Sequence, residues 1–412
     1  MNADIFSYEG EGIQCVYDNK NWVMCIKNWK PNNDIENIRY LEVHHATDEQ
    51  FVLLKGKAVL LAAVKADGAC RMDVIPMEPY KVYNIPQGIW FNTITQKDTK
   101  LVYVQDAATT AENSEYCDMT QEELNEVKDM VIDMHVHPAL FSDICGDKDR
   151  LKLRCDEMGY HLMGPSPLDV LDKQNAYAGI DKMVLLPLDH SVRCGEVVIT
   201  NEEIRTLVDK RPDMLIGFAS VDPHRSDAVE VLERAFTELQ LTGLKLNPAK
   251  QRFYPDDRMM WPIYEKCLEH NKPVVFHAGL SWEPDTLCKY SHPLRFEEVA
   301  LEFPQLRLCL AHMGWPWVQE TAMLMIKYPN LYADTAMMYM DSAEQFFDKV
   351  FKHDMGEYWL DHNFQDQVMF GSNAPRFRPV RIKRGLDSLK MREDTRRKLY
   401  GENAMRFLGL EG

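Results

Sequence analysis

Eight short apolar runs recur through the last two thirds of this chain, and segments typical of helices lie between most of them, for example 201–210, 227–239, 261–271 and 296–303. Strands that alternate with helices form parallel βα units. Eight such units over about 280 residues predict a (β/α)8 barrel, whose usual size is about 250 residues. The predicted strands are 131–134, 183–188, 215–220, 243–246, 274–276, 307–310, 331–333 and 368–370.

An open, doubly wound sheet is the alternative architecture for the same alternation of strands and helices. Such a sheet commonly carries a glycine-rich phosphate loop after its first strand. No loop of that kind follows residues 131–134. The sequence therefore favours the closed barrel.

The first part of the chain has a different pattern. Residues 1–106 contain short apolar runs such as 52–61, 82–85 and 101–104 without helical periodicity, which predicts an all-β domain. Residues 107–119 are polar, and Thr120 with Glu123 forms a capping box that begins a short acidic helix. We therefore expect three segments: a β domain at 1–106, a linker with a short helix at 107–129, and the barrel at 130–412.

Charge and cysteine content limit the partners and the compartment. The formal net charge of -17 argues against nucleic acid and against an anionic membrane surface. No apolar run reaches the roughly twenty residues that span a bilayer. The ten cysteines are scattered without a C-x-x-C pair, and the first residues lack the blocks of a signal peptide. These features predict a cytoplasmic protein with a small-molecule substrate.

Four histidines each follow an apolar run at a predicted strand end. His135 and His137 stand two residues apart, so in a strand both side chains point to the same side. His277 and His312 close later runs, each followed within two residues by glycine. Barrels of this kind carry their chemistry at the carboxyl ends of the strands. The four positions therefore predict a metal site there.

The barrel segment resembles the amidohydrolase superfamily, in its aminocarboxymuconate-semialdehyde decarboxylase-like branch. The resemblance covers roughly residues 130–410 and rests on five motifs: Asp-Met-His-Val-His-Pro at 133–138, Gly-Leu-Lys-Leu-Asn-Pro at 243–248, Val-Phe-His-Ala-Gly at 275–279, Ala-His-Met-Gly at 311–314 and Phe-Gly-Ser-Asn-Ala-Pro at 370–375. It implies that His135, His137 and His277 bind one divalent metal ion, with zinc expected first and manganese as the alternative. It also implies that His312 is the catalytic acid and base.

Asn373 departs from the family, which normally has an aspartate at this position. An amide oxygen can still ligate a metal ion, but it has neither negative charge nor useful basicity. Losing an anionic ligand should lower the pKa of metal-bound water. The same change removes the proton acceptor beside that water, and general-base assistance is worth about a hundred- to ten-thousand-fold.

Three further residues are candidates for binding substrate. Lys245 lies in the fourth-strand motif and would stand near a substrate carboxylate, because the branch resembled usually holds one metal. Arg376 follows Asn373 closely and could bind a carboxylate through two N–H groups. Trp315 follows His312 and could wall an apolar substrate. Residues 139–169 form a long segment suited to a lid over the site.

The N-terminal domain resembles the cupin superfamily through His-His-Ala-Thr-Asp-Glu at 44–49, Gly56 and Pro-Gln-Gly at 86–88. The family's four metal-ligand positions align with Val43, His45, Glu49 and Phe91, and two of these are apolar. The resemblance therefore implies a metal-free cupin-like barrel. Dimerisation, ligand recognition and closure of a neighbouring barrel remain alternative roles, and we expect a homo-oligomer.

Together these features predict a metal-dependent hydrolase acting on a small carboxylate-bearing molecule. Hydrolysis of a C–N, C–O or C–C bond is expected slightly ahead of non-oxidative decarboxylation on the same scaffold. A third alternative is a ligand-binding protein whose catalysis is impaired because Asn373 replaces the usual aspartate.

Overall fold

The computed structural model describes residues 4–35, 37–66, 69–110, 112–120, 123–124, 130–337 and 340–410. The chain forms two compact units, Met1–Asp129 and Met130–Gly412. Each unit has its own hydrophobic core.

Two five-stranded antiparallel sheets build the first unit. One sheet has the order β1-β2-β9-β4-β7 and the other has the order β10-β3-β8-β5-β6. Large apolar side chains such as Phe51, Phe91 and Leu101 are buried in its core. The strands are β1 Ile13–Asp18, β2 Trp22–Asn28, β3 Tyr40–His44, β4 Glu49–Lys55, β5 Ala58–Ala66, β6 Ala69–Pro76, β7 Val82–Ile85, β8 Trp90–Thr95, β9 Lys100–Asp106 and β10 Ser114–Asp118.

Strand β10 lies where the sequence predicted a connector. Ser114–Asp118 pairs antiparallel with Tyr40–His44, so the sheet continues past residue 106. This edge strand is mostly exposed and is held by backbone pairing. Such a strand needs no apolar run. The polar composition of residues 107–119 therefore led to the wrong prediction of a connector. Thr120 and Glu123 do exchange the two hydrogen bonds of a capping box, while most of the predicted helix lies outside the described residues.

The two adjacent histidines of the first unit also differ from the expected arrangement. Nε2 of His44 lies 3.2 Å from Oε2 of Glu49, and Nδ1 of His44 lies 2.9 Å from Oγ of Ser114. His45 is exposed and contacts Glu115 instead. Strand β3 ends at His44, whose side chain points towards Glu49, and His45 follows in the bend after the strand. Both ring nitrogens of His44 are thus engaged, and His44, rather than the His45 that aligns with a cupin ligand position, faces Glu49.

Eight parallel strands form the barrel of the second unit in sequence order, which confirms the predicted fold class. Hydrogen bonds from Met134 N–H to Phe370 O and from His137 N–H to Ala374 O join the first strand to the last. This closure distinguishes the barrel from an open doubly wound sheet. The strands are β11 Ile132–Val136, β12 Lys182–Leu185, β13 Leu215–Ala219, β14 Gly243–Leu246, β15 Val274–Phe276, β16 Leu308–Leu310, β17 Leu331–Asp334 and β18 Val368–Met369.

Helices surround the barrel. The α-helices are Lys148–Met158, Leu168–Ala178, Ser191–Cys194, Asn201–Lys210, Ala228–Thr237, Pro248–Gln251, Trp261–Glu269, Glu297–Glu302, Val318–Lys327, Ala343–Asp348, Trp359–His362, Pro379–Asp387, Glu393–Arg397 and Asn403–Leu408. Short 3₁₀ turns occur at Pro31–Asn33, Pro138–Leu140, Ser142–Ile144, Arg258–Met260, Cys288–Tyr290, Pro293–Phe296 and Ala311–Gly314, and π-helical turns at Lys349–Gly356 and Lys398–Glu402. Within the described ranges, every helix is too short or too polar to cross a bilayer.

Two apolar layers hold the barrel. Alternate residues of each strand pack outward against the helices, as Leu244 and Leu246 do in β14. Side chains such as Met134 and Val275 pack in a separate inner cluster with Phe407 of the last helix. That helix therefore covers the amino-terminal side of the strands and leaves their carboxyl ends for polar side chains.

Candidate functional site

The barrel brings the four predicted histidines together into one group, here called the histidine cluster: His135, His137, His277 and His312. Nε2 of His135 lies 3.2 Å from Nε2 of His137. Nε2 of His312 lies 3.2 Å from Nδ1 of His277. The rings of His135 and His312 connect the two pairs, with centroids 4.7 Å apart. Residues from strand ends far apart in sequence thus converge on one small region.

The second nitrogen of each ring faces an oxygen that can only accept a hydrogen bond. Each of these nitrogens therefore carries the ring proton, and the nitrogens that face one another within the pairs carry lone pairs. The contacts are His135 Nδ1 to Asp334 Oδ2 at 2.8 Å, His137 Nδ1 to Leu186 O at 3.2 Å, His277 Nε2 to Leu280 O at 3.1 Å and His312 Nδ1 to Ala336 O at 2.9 Å. Lone pairs this close repel unless a cation lies between them.

The spacing and protonation of the cluster fit a divalent transition metal. Two nitrogens bound tetrahedrally to zinc at about 2.0–2.1 Å lie about 3.3 Å apart, close to the separations seen here. Burial lowers the pKa of His135, His137 and His312 well below the ordinary value and that of His277 to about 4. The rings are therefore neutral, which is the form that ligates a metal.

Asp334 is a site residue that the sequence reasoning missed. It closes strand β17 and is completely buried. Besides its contact with His135, its Oδ1 accepts the backbone N–H of His312 at 2.8 Å and that of Ala336 at 3.1 Å. Its carboxylate, His135 and His312 together form a group that could hold a metal ion. The signal in the sequence was an acidic residue directly after the apolar run at 331–333.

The backbone around the cluster adopts conformations that most residues avoid. His312, Met313 and Asn373 have φ values of 62°, 53° and 62°. Residues held in the left-handed region often occur at functional sites. The N–H of Asn373 donates to His135 O at 2.9 Å, and its side-chain Nδ2 donates to Met337 O at 2.9 Å. These bonds hold Asn373 in the cavity wall beside the cluster.

Lys245 and Arg376 line the same cavity as the histidines. Lys245 is 3% exposed, and its Nζ makes no hydrogen bond within the described ranges. Burial lowers the pKa of Lys245 to about 8, although the nearby Asp334 carboxylate opposes the shift. Arg376 donates to Met158 O at 2.9 Å, and its guanidinium stacks 4.6 Å from the centre of the Trp282 ring. Positive charge therefore collects beside the histidine cluster.

The predicted wall residue Trp315 is not among the residues that line this cavity. It is half-buried, with its ring centre 6.5 Å from that of Phe346. Tyr160, Trp282, Lys250 and Glu283 line the cavity instead, and no motif in the sequence marked them. The predicted lid segment 139–169 does reach the cavity, through Met158 and Tyr160.

Lys250 and Glu283 form an ion pair in the cavity wall, with Nζ and Oε1 3.0 Å apart. Burial alone would raise the pKa of Glu283, but the Lys250 ammonium lowers it below its usual value. Oγ of Ser281 also donates to Oε2 of Glu283 at 3.0 Å. The carboxylate is therefore ionised, engaged by two donors and a weak base.

Two curated proteins are similar to about half of the chain. A 2-keto-4-carboxy-3-hexenedioate hydratase from Sphingobium sp. (strain NBRC 103272 / SYK-6) is 27% identical over 224 residues, which are 48% of this chain and 62% of that protein. A 2-amino-3-carboxymuconate-6-semialdehyde decarboxylase from Dictyostelium discoideum is 22% identical over 244 residues, which are 51% of this chain and 66% of that protein. The chain thus spans slightly less than two thirds of the length of either relative.

A solved structure and a family model are both similar to the barrel unit of this chain. The structure of an uncharacterised TIM-barrel protein from Bordetella bronchiseptica superimposes with a TM-score of 0.56 at 22% identity, over 68% of this chain and 98% of that protein. The model of the family described as Amidohydrolase matches residues 132–410, which include the histidine cluster, Asp334 and Asn373. The chain therefore belongs to the amidohydrolase family.

Proposed function

We propose that the protein is a metal-dependent decarboxylase of a small organic acid. The observation that carries this proposal is the Lys245 ammonium, which lines the cavity of the histidine cluster and has no hydrogen-bond partner in the described part of the chain. Leaving a charge buried without a partner is costly. A substrate carboxylate would supply the missing anion.

Within this proposal, His135, His137 and His277 hold one divalent metal ion, zinc or manganese, and Asn373 adds its amide oxygen. When bound, the ion supplies Lewis-acid polarisation of a substrate oxygen. The chain keeps the imidazoles neutral by burying them, and it orients each ring through a hydrogen bond from the outer nitrogen. Such outer contacts fix the tautomer of metal-binding histidines.

His312 moves the proton in the proposed reaction. Its Nδ1–H is donated to Ala336 O, so Nε2 is the nitrogen that faces the cluster. The bond between the substrate carbon and its carboxylate breaks, and the electron pair stays on the carbon. Nε2 of His312, which carries a lone pair, would take up the proton of the substrate's carboxylic acid group before this bond breaks and would return it to the carbon, which forms the new C–H bond. Lys245 and Arg376 would bind and orient the carboxylate groups of the acid.

Hydrolysis, which the sequence slightly favoured, is the second candidate. Neutral histidines can support zinc-bound hydroxide, the arrangement found in carbonic anhydrase. A water nucleophile also benefits from a general base. Asn373 cannot serve as one, and Glu283, the sole carboxylate in the described cavity lining, is engaged by Lys250 and Ser281. Decarboxylation needs no activated water, only the proton that His312 would carry from the acid to the carbon, and we therefore place it first.

The test compares three reactions on the full chain loaded with zinc or manganese. Carbon dioxide release is measured from 2-amino-3-carboxymuconate-6-semialdehyde and 2,6-dihydroxybenzoate, amine or alcohol release from amides and lactones, and loss of alkene absorbance from 2-keto-4-carboxy-3-hexenedioate. We expect carbon dioxide release. Turnover limited to amides or lactones would establish hydrolysis, and water addition alone would establish a hydratase. If the acids bind but none is turned over, the protein is the third alternative, a ligand-binding protein with impaired catalysis.

A metal titration tests the proposed role of residue 373. Asn373→Asp adds an anionic ligand, so its affinity for zinc should rise by tenfold or more. Asn21→Asp makes the same change at an exposed position of the first unit and should leave zinc affinity unchanged. No gain for Asn373→Asp would show that residue 373 does not touch the metal.

A further inference from the structure

Tyr160 presents a hydroxyl group that neither the histidine cluster nor the proposed metal accounts for. The residue follows the lid helix Lys148–Met158, is 1% exposed and lines the same cavity as Lys245. The Arg376 guanidinium lies beside its OH group but can only donate, and the hydroxyl proton has no acceptor among the residues that the structure describes. Burying a hydroxyl without a partner destabilises a fold. The cavity therefore contains two buried donors, the Tyr160 hydroxyl on the lid and the Lys245 ammonium on β14, and neither has an acceptor among the described residues.

We propose that Tyr160 is a specificity-determining residue whose hydroxyl donates a hydrogen bond to an oxygen atom of the bound organic acid. This inference rests on the proposed function, because it assumes that the cavity binds an acid. The oxygen in question belongs to a hydroxyl or carbonyl group beyond the carboxylate that Lys245 and Arg376 would bind. The substrate class is thereby narrowed to oxygenated carboxylic acids.

The surroundings of Tyr160 hold its ring in a defined position. Arg376 donates to the carbonyl of Met158 and lies 5.4 Å from the centre of the Tyr160 ring. Nζ of Lys250 donates to the carbonyl of Glu157. Two cationic residues that line the cavity therefore fasten the turn that carries Tyr160. A hydroxyl held in this way loses little freedom when it binds a ligand.

The protonation of Tyr160 suits a hydrogen-bond donor. Burial raises the pKa of its phenol above the ordinary value, although the Arg376 charge opposes this shift. The hydroxyl is therefore neutral at physiological pH and can donate to a carbonyl, hydroxyl or carboxylate oxygen. Met158, Trp282 and Leu188 add apolar surface to the same cavity, so an acid with an unsaturated or aromatic skeleton would fit its lining.

The test is calorimetric titration of the zinc-loaded full chain with two matched pairs of acids. The members of each pair differ only in added oxygen: 2,6-dihydroxybenzoate has two hydroxyl groups that benzoate lacks, and oxaloacetate has one carbonyl group where succinate has CH2. We expect the wild-type protein to bind the oxygenated member of at least one pair tenfold or more tightly than its counterpart. Tyr160→Phe keeps the ring and its contact with Arg376 but removes the hydroxyl. This variant should lose most of that preference while its affinity for the counterpart changes little.

Thermal unfolding separates recognition from a structural role. The hydroxyl proton has no described acceptor, so Tyr160→Phe should unfold close to the wild-type temperature. Tyr264→Phe is the matched control, because the Tyr264 hydroxyl donates to Pro255 O at 2.9 Å and does not line the cavity. The control should lower the melting temperature and leave the preference between acids unchanged.

The outcomes separate the role of Tyr160 from the proposed function. If Tyr160→Phe keeps the full wild-type preference for the oxygenated acids, the role of Tyr160 is overturned and the proposed function stays intact. A wild-type protein that binds all four acids without preference would have the same consequence. Failure to bind any of the acids would overturn the proposed function together with this inference.

Discussion

Nδ1 of His135 lies 2.8 Å from Oδ2 of Asp334, and neither side chain has any exposed surface. The other carboxylate oxygen accepts the backbone N–H of His312. One buried carboxylate thus orients the ring of the first histidine and fixes the backbone of another. Contacts of this kind behind a metal-binding histidine set its tautomer and its basicity.

Replacing Asp334 with asparagine should weaken metal binding. Asp334→Asn keeps the size of the side chain but removes the charge and one acceptor oxygen, so we expect zinc affinity to fall about 10- to 100-fold. Competition with a chromogenic chelator measures this change. Asp172→Asn, which removes a carboxylate paired with Arg211 outside the cavity, is the control and should bind zinc normally. Equal affinities in the two variants would contradict the role of Asp334.

Replacing Lys245 should affect stability and ligand binding in opposite directions. Lys245→Met removes the charge while keeping much of the side chain. The folded-state pKa of about 8 against an ordinary 10.5 corresponds to a cost of up to about 3 kcal/mol at neutral pH, so the variant should melt at a higher temperature. Its affinity for carboxylic acids should fall tenfold or more. Calorimetry measures both quantities, and a fall in both would show that Lys245 stabilises the fold instead.

Gly159 should be intolerant of a side chain for two reasons. Its φ is +68°, and a Cβ atom there would lie 2.6 Å from the Trp282 ring. Gly159→Ala should therefore displace the turn that carries Tyr160 and weaken acid binding at least severalfold. Gly179→Ala introduces the same backbone strain at φ +64° with no atom within 4 Å of the added Cβ. That control should lose about 1–2 kcal/mol of stability and keep its ligand affinity.

Lys27 should give the first unit a pH-dependent stability. Burial lowers the pKa of Lys27 to about 8, with Glu42 and Glu49 raising it and Lys30 lowering it by smaller amounts. Since the folded state holds the proton more weakly than the unfolded chain, stability should increase as the pH rises from 8 towards 10.5. Below pH 8 the cost of the buried charge is fully present.

Replacement of Lys27 by methionine tests this dependence. Lys27→Met should raise the melting temperature at pH 7 and reduce the rise in stability between pH 8 and 10.5. Scanning calorimetry of the full chain at several pH values measures both effects. Lys245→Met serves as a comparison, because it removes the other buried lysine with a pKa of about 8 from the barrel unit. An unchanged pH profile for Lys27→Met would mean that Lys27 is solvated in the folded protein.

The barrel was predictable because each of its strands is a short, mostly apolar run. Parallel strands covered on both faces need such runs, and helices must connect them. Strand β10 was missed because an edge strand is stabilised by backbone pairing and can be polar. The adjacent histidines of the first unit show a similar limit, since the register of β3 decides which of them faces Glu49.

By itself, the sequence determined the (β/α)8 alternation, the family, and the placement of His135, His137, His277 and His312 at strand ends. These features are local, because each depends on residue type and short-range spacing. Only the tertiary structure decided that Asp334 lies behind His135, that Lys245 is buried without a described partner, and that Tyr160 enters the cavity from the lid. Such relations join residues that are distant in sequence, and closure of the barrel with packing of its loops is what brings them together.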